Sequence, residues 1–314
     1  NIFSEILNVE QVGIKDSFFE LGGHSLRATR LVNRIESETG TRIALKEVFA
    51  HPTVEQLAVF TGAESEEYIP IPKAEEKEYY PMSSAQKRTY LIQQMDPQSM
   101  MYNMPFTMKM TGDVRADRLK EAFQKMLDRH EILRTKFMTV NGELMQTILD
   151  HLDTDFEYVQ SNLSDKELIE EYFKPFDLNK PPFVRVKLVD KGEYHLFMLD
   201  MHHIISDGIS ASIFVDELSA LYNGKKLTPL THQYKDYSEW MRLRDLSNQA
   251  EYWKSQFEDE VPVLDMPLDH TRPQVQSYAG SFLKMDIDTQ LSDGIKKLAK
   301  KASTTEYMIF MAAL

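Results

Sequence analysis

The chain has 314 residues, 42% of them apolar and 27% charged, and a formal net charge of −13. A globular composition at this length calls for two or more domains, and the acidic balance argues against nucleic acid and anionic membrane as main partners. Cysteine is absent and the chain opens with neither a basic leader nor a long apolar run. No disulfide framework, secretion or membrane span is therefore expected, and the expected compartment is cytoplasmic.

The first sixty residues read as a small helical module. Ile2, Phe3, Ile6 and Leu7 make one face of a short helix. A loop over residues 13–24 ends in Gly22, Gly23 and His24, and Ser25 opens a second helix with Ala28, Leu31, Val32 and Ile35 at helical spacing. Gly40 ends that helix. Leu45, Val48 and Phe49 mark a third, and Thr53 with Gln56 fits a capping box opening a fourth. Taken alone, Ser25 is a good N-cap.

Residues 62–79 change character. Glu64, Glu66, Glu67, Glu75, Glu76 and Glu78 crowd the stretch, and Pro70 and Pro72 break helix, so it reads as an extended, self-repelling spacer. From Tyr80 the pattern is mixed α and β. A helix over Ser84–Met95 is expected to carry Tyr90, Leu91 and Met95 on one side. Asn103–Met110 is a strand. Leu119, Phe123, Met126 and Leu127 define an amphipathic helix. Thr135–Val140 and Glu143–Leu149 form a hairpin through Asn141 and Gly142. A later helix bears Ile209, Ile213, Phe214, Leu218 and Leu221 and stops at Gly224. The 17 methionines are expected to fill the core, with Trp240 beside them. Residues 307–314 run apolar without a helix-ending signal, as if an element were cut within its length.

The chemistry concentrates in Tyr194–Ser210, YHLFMLDMHHIISDGIS. An apolar strand alternates through His195, Phe197, Leu199 and Met201 and ends at His202 and His203. Neighbouring strand residues point to opposite faces, so one histidine faces a cleft and the other packs. Imidazole can take or share a proton near neutrality, and Asp207 follows His203 by four residues across a turn at Gly208. A metal site is not expected: the chain has no cysteine and no second histidine pair.

The string His-His-x-x-x-Asp-Gly at a strand-to-helix junction resembles the core motif of condensation domains of non-ribosomal peptide synthetases. Tyr80–Asp96, Arg129–Phe137 (RHEILRTKF) and Tyr234–Trp240 (YKDYSEW) resemble three further motifs of that family, in the family's order. Asp16–Leu26, DSFFELGGHSL, is closely similar to the attachment motif of peptidyl carrier proteins. The resemblance implies a multidomain chain: a four-helix carrier over 1–61, a linker over 62–79, and an α/β chloramphenicol-acetyltransferase-like condensation domain over 80–314. Within that domain, 80–248 is the expected first lobe with bridging helix, and 249–314 the start of an incomplete second lobe.

The same resemblance implies that Ser25 carries 4′-phosphopantetheine, with Gly22, Gly23 and His24 shaping the loop. A phosphopantetheinyl transferase would attach it, an upstream adenylation domain would load it, and adenylation and carrier domains would follow downstream. His203 is the expected catalytic residue, as a base toward an attacking amine or as a group stabilising the reacting centre. His202, Asp207, Gly208 and Arg134 are expected to support it, with Arg134 as the partner of Asp207 in preference to Arg129. An epimerization domain and a non-catalytic docking platform are the competing readings.

Overall fold

The computed structural model describes residues 2–60, 70–259, 261–274, 280–281, 283–302 and 304–314, and leaves the Ser25 side chain undescribed. Contacts divide the chain into two units, Asn1–Gln256 and Phe257–Leu314. The first unit begins with four short helices, α1 (Ile2–Leu7), α2 (Ser25–Thr39), α3 (Leu45–Ala50) and α4 (Val54–Ala58). They enclose a core of Phe3, Leu7, Phe18, Ala28, Leu31, Ile35, Ile43, Val48 and Leu57. Gly40 closes α2 in the left-handed conformation at φ 70, which glycine adopts without a Cβ penalty. Thr53 accepts the Gln56 backbone N–H at 3.2 Å, while the Gln56 side chain reaches back to the Thr53 hydroxyl, not to its N–H.

The α/β part holds two sheets. β2 (Asn103–Met110), β7 (His195–His202), β6 (Val184–Asp190) and β5 (Asp155–Gln160) lie in that order, with β5 parallel to β6 and the other pairs antiparallel. The parallel pair requires a crossover, supplied by α7 (Asp165–Tyr172). β1 (Tyr80–Pro81), β4 (Glu143–Ile148) and β3 (Thr135–Val140) form the second sheet. The β3–β4 turn has Asn141 at φ 51 and Gly142 at φ 83, the two positive dihedrals a two-residue hairpin needs.

One face of the larger sheet supplies Val184, Val186, Leu188, Phe197, Leu199 and Met201 to the main core, with Phe123 and Leu127 of α6 (Ala116–Arg129) and Phe214 and Leu218 of α8 (Gly208–Tyr222). The opposite face packs Val189, Leu196 and Met198 against Leu168 of α7. β6 and β7 are thus covered on both sides, so their near-continuous apolar runs follow from burial.

Two helices depart from the apolar-inward expectation. α5 (Ser84–Met95) buries Gln86, Thr89, Tyr90 and Gln93, while Leu91 and Met95 are exposed, Met95 at 85%. α9 (Tyr234–Leu243) buries Lys235, Asp236, Ser238 and Glu239. Trp240 is consequently not core: it is half-buried, beside Tyr237 at 6.1 Å and under the Arg244 guanidinium at 4.7 Å. On α8, Ile209 and Ile213 face outward and only Phe214 and Leu218 are buried. Methionine is core filler only in part. Met82, Met126, Met198 and Met201 are buried, but Met100, Met266, Met285 and Met308 are exposed.

α10 (Ser247–Gln256) closes the first unit. The second unit contains α11 (Thr289–Lys301), capped by Asp288, and α12 (Glu306–Ala313), capped by Thr305.

Phe183 is fully buried and stacks on Phe137 with ring centroids 5.6 Å apart. Phe183→Ala should cost about 3–5 kcal/mol, read as a lower urea midpoint at unchanged slope.

Candidate functional site

β7 ends on His202, and the alternation of the strand separates the two imidazoles. His202 is fully buried; His203 is exposed. The His202 N–H donates to Phe183 O at 2.9 Å and the His203 N–H to Tyr102 O at 2.8 Å. Tyr102 lies against both rings, at centroid distances of 6.1 and 6.3 Å. Nothing in the residues around Tyr102 marks it as part of the site; only the pairing of β2 with β7 brings it there.

The tautomer of His202 follows from its bonds. Nδ1 accepts the Ile204 N–H at 3.1 Å, so the ring proton sits on Nε2, which faces Gln93 Oε1 at 3.4 Å. The Gln93 amide is oriented in turn, because its nitrogen donates to Ser99 O at 3.0 Å. Ile205 N–H and the Ser206 hydroxyl both donate to His202 O, at 3.1 Å each. The turn that carries His203 is thus held by the buried neighbour. Burial, with a smaller contribution from the charge of His203, pushes the His202 pKa down to about 4.

Asp207 caps α8, accepting from Ser210 N at 2.8 Å and from the Ser210 hydroxyl at 2.7 Å. Burial pushes its carboxyl up, but the bonds from Ser210 and Ile209 and the nearby His203 outweigh this and hold it below the usual carboxylate range. Gly208 has no positive φ, and a Cβ there would meet nothing within 4 Å. Tyr234 closes this neighbourhood: its hydroxyl lies 2.9 Å from the Ser83 hydroxyl, and burial raises its pKa, with Asp207 among the lesser causes.

The expected Asp207–Arg134 pair is not found among the described contacts. Arg134 instead donates to Leu149 O and lies 3.9 Å from Glu131. Asp207 has its needs met by the first turn of its own helix, which leaves no call for a distant guanidinium. The neighbouring motif residues bind α8 at another point. Arg129 makes a two-pronged pair with Glu217 at 2.9 and 3.2 Å, and His130 Nε2 lies 2.6 Å from Glu217.

Three residues before His203 lies a buried charge pair. Asp200 is fully buried and meets Arg185 and the Asn103 amide, each at 2.7 Å. Arg185 in turn covers the Phe176 ring at 4.2 Å, and Phe176 packs edge-on against His202 at 5.9 Å.

In the helical module, Ser25 is the first residue of α2. Gly22 sits at φ +94, and a Cβ on Gly23 would lie 2.3 Å from the Phe18 ring and 2.5 Å from the Phe18 carbonyl. The loop is therefore pressed onto Phe18 at a spot only glycine can occupy. His24 precedes the helix in extended conformation and is exposed, and its side chain makes no cap bond. The first turn of α2 therefore receives no cap from the His24 side chain. A phosphodiester on Ser25 fits this place, since a helix N-terminus favours an anion and the His24 side chain does not cap it.

The chain thus sets a helical module with a serine at a helix start ahead of an α/β domain with a histidine turn at a strand end. Residues 76–314 match the Condensation domain family and residues 1–60 match the Phosphopantetheine attachment site family. Bacitracin synthase 3 and bacitracin synthase 2 of Bacillus licheniformis are 43% and 44% identical over 99% of this chain, which spans 5% and 12% of their lengths. Gramicidin S synthase 2 of Brevibacillus brevis is 40% identical over 99% of the chain, which spans 7% of it. Among solved structures, the complex of the X-domain and OxyB from teicoplanin biosynthesis shares the fold at TM-score 0.66 and 21% identity, over 77% of this chain and 57% of that one. A four-domain nonribosomal peptide synthetase, AB3403, gives TM-score 0.64 at 20% identity, over 74% of this chain and 19% of that one. The chain belongs to the condensation-domain family, with a phosphopantetheine attachment domain ahead of it, and is a carrier–condensation region of the nonribosomal peptide synthetase type. Among the described residues, no helix is long and apolar enough to cross a membrane.

The depressed His202 pKa has a definite sign. The unfolded ring takes its proton near pH 6.5 and the folded ring only near 4, so stability present above 6.5 is lost as pH falls toward 4, by up to about 3 kcal/mol. The His202 ring proton should titrate by NMR with a midpoint near 4. His202→Asn, which keeps an acceptor for Ile204 N–H, should lack this share of the acid destabilisation.

Proposed function

We propose that this chain holds a donor acyl group on Ser25 and catalyses its transfer to an amine. The observation that carries the reading is the pair of opposed histidines: a buried His202 that fixes the turn, and an exposed His203 presented by that turn. The proposed division places the carrier at 1–61, the connector at 62–79 and the condensation domain from 80 onward.

When attached, the phosphopantetheine supplies a terminal thiol on which an acyl group can be carried as a thioester. The chain's own residues do the rest. His203 faces the reacting centre and either takes the proton of the attacking amine or steadies the charge that develops on the carbonyl oxygen. Amide formation from a thioester held on that arm would release its thiol, and His203 is the group of this chain proposed to hold or pass the amine proton. Asp207 and Gly208 start α8 beside His203, Asp207 by capping and Gly208 by leaving space for the acyl chain. Arg134 supports the β4 end through Leu149 and does not act through Asp207. Holding two long arms end to end is catalysis by proximity. An upstream adenylation domain would load Ser25, a transferase would attach the arm, and a downstream carrier would present the amine.

Co-expression with a broad-specificity phosphopantetheinyl transferase should give one arm-sized mass adduct, absent in Ser25→Ala. A donor loaded on that arm and offered an aminoacyl-thioester amine should yield the amide. His203→Ala should slow amide formation by about 10²–10⁴-fold without changing the adduct. Racemised donor without amide would instead mark an epimerase, and undiminished amide formation in His203→Ala would remove His203 from the reaction.

A further inference from the structure

The stretch that reads as a spacer in sequence is bonded along part of its length. Residues 70–79 form neither helix nor strand and are bonded to the charged face of α9. Ile71 O accepts from His232 Nε2 at 2.9 Å, just before the helix. Ala74 N–H donates to Asp236 Oδ1 at 2.9 Å. Glu76 meets Lys235 Nζ at 3.2 Å, and Lys77 Nζ meets Glu239 Oε1 at 2.9 Å. Lys77 N–H also donates to the Tyr80 hydroxyl at 2.9 Å.

These bonds are buried at their α9 ends, while the Glu76 and Lys77 side chains are 86% and 41% exposed. Lys235, Asp236 and Glu239 are 9%, 4% and 7% exposed. Exposed ion pairs hold little, but a buried charge that loses a partner is strongly unfavourable. The α9 charges bond the segment at three points, Ala74, Glu76 and Lys77. Each also has a partner outside it: Lys235 has Glu131, Asp236 has the Gln233 N–H, and Glu239 has Arg242. The helix thus keeps its fold when the segment is altered.

We propose that residues 70–79 of the connector are a strap clamped by charge to α9, so that the carrier is tethered from Pro70 and not from Tyr80. The consequence is a shorter leash. Ten Cα steps separate Phe60 from Pro70 and span at most about 36 Å, against about 72 Å if the leash ran to Tyr80. The strap halves the range over which the carrier is concentrated around a neighbouring site. That consequence rests on the carrier reading above; the clamp itself does not.

The chain has no cysteine, so Glu75→Cys in the full chain gives one nitroxide site on an exposed strap residue. Its electron paramagnetic resonance spectrum should show restricted motion. Adding Glu76→Lys and Lys77→Glu, which set like charges against Lys235 and Glu239 and leave α9 untouched, should collapse it to the narrow lines of a free peptide. Circular dichroism should show the fold retained. Free-peptide lines in the chain with Glu75→Cys alone would overturn the strap, and a restricted spectrum surviving both reversals would overturn the clamp by charge. Repeating the measurement in Ser25→Ala should give the same spectra, which separates a failure of the strap from a failure of the carrier reading.

Discussion

The hydrogen bond from Ile204 N–H to His202 Nδ1 exists only while His202 is neutral. A protonated ring has no lone pair there, and the turn that presents His203 would lose its inner support. Burial of His202 is therefore a condition of the site. Gln93 from α5, Phe176 after α7 and Tyr102 before β2 surround that ring, and each comes from a different part of the chain. A neutral His202 also spares His203 a like charge beside it.

This dependence explains why α5 turns polar residues inward. A helix packed on grease alone could not offer an oriented amide to an imidazole. Gln86, Thr89 and Gln93 are buried because polar groups in the interior must be bonded, and Gln86 and Gln93 find partners in Gln146, Ser99 and His202. α9 carries the same logic further, with charges in place of amides.

Local pattern made part of this legible. Strand alternation foretells that His202 and His203 part to opposite sides, but not which of them packs, because both faces of β7 are buried. Asn141-Gly142 foretells its hairpin through the dihedrals such a turn demands. Gly23 is readable as loop chemistry, but not as a contact with Phe18, since that is a tertiary approach. Leu91, Met95 and Trp240 mislead for one shared reason: apolar residues mark the inner face only where the neighbour is apolar. The Asp207–Arg134 expectation fails because a capping carboxylate four residues past a histidine can be satisfied by its own helix, and chain distance alone does not reveal that. Tyr102, Gln93 and Glu217 could be found only from the topology that gathers them.

The strap on α9 also carries a spelling rule. Glu76 faces Lys235 and Lys77 faces Glu239, and those two helix residues stand one turn apart. Sliding the strap one turn toward the C-terminus of α9 would set Glu76 against Glu239; sliding it one turn the other way would set Lys77 against Lys235. Apolar contacts would tolerate either slip, whereas alternating charges reject both. The acidic run before the domain is thus written as a key that enters its helix in a single position.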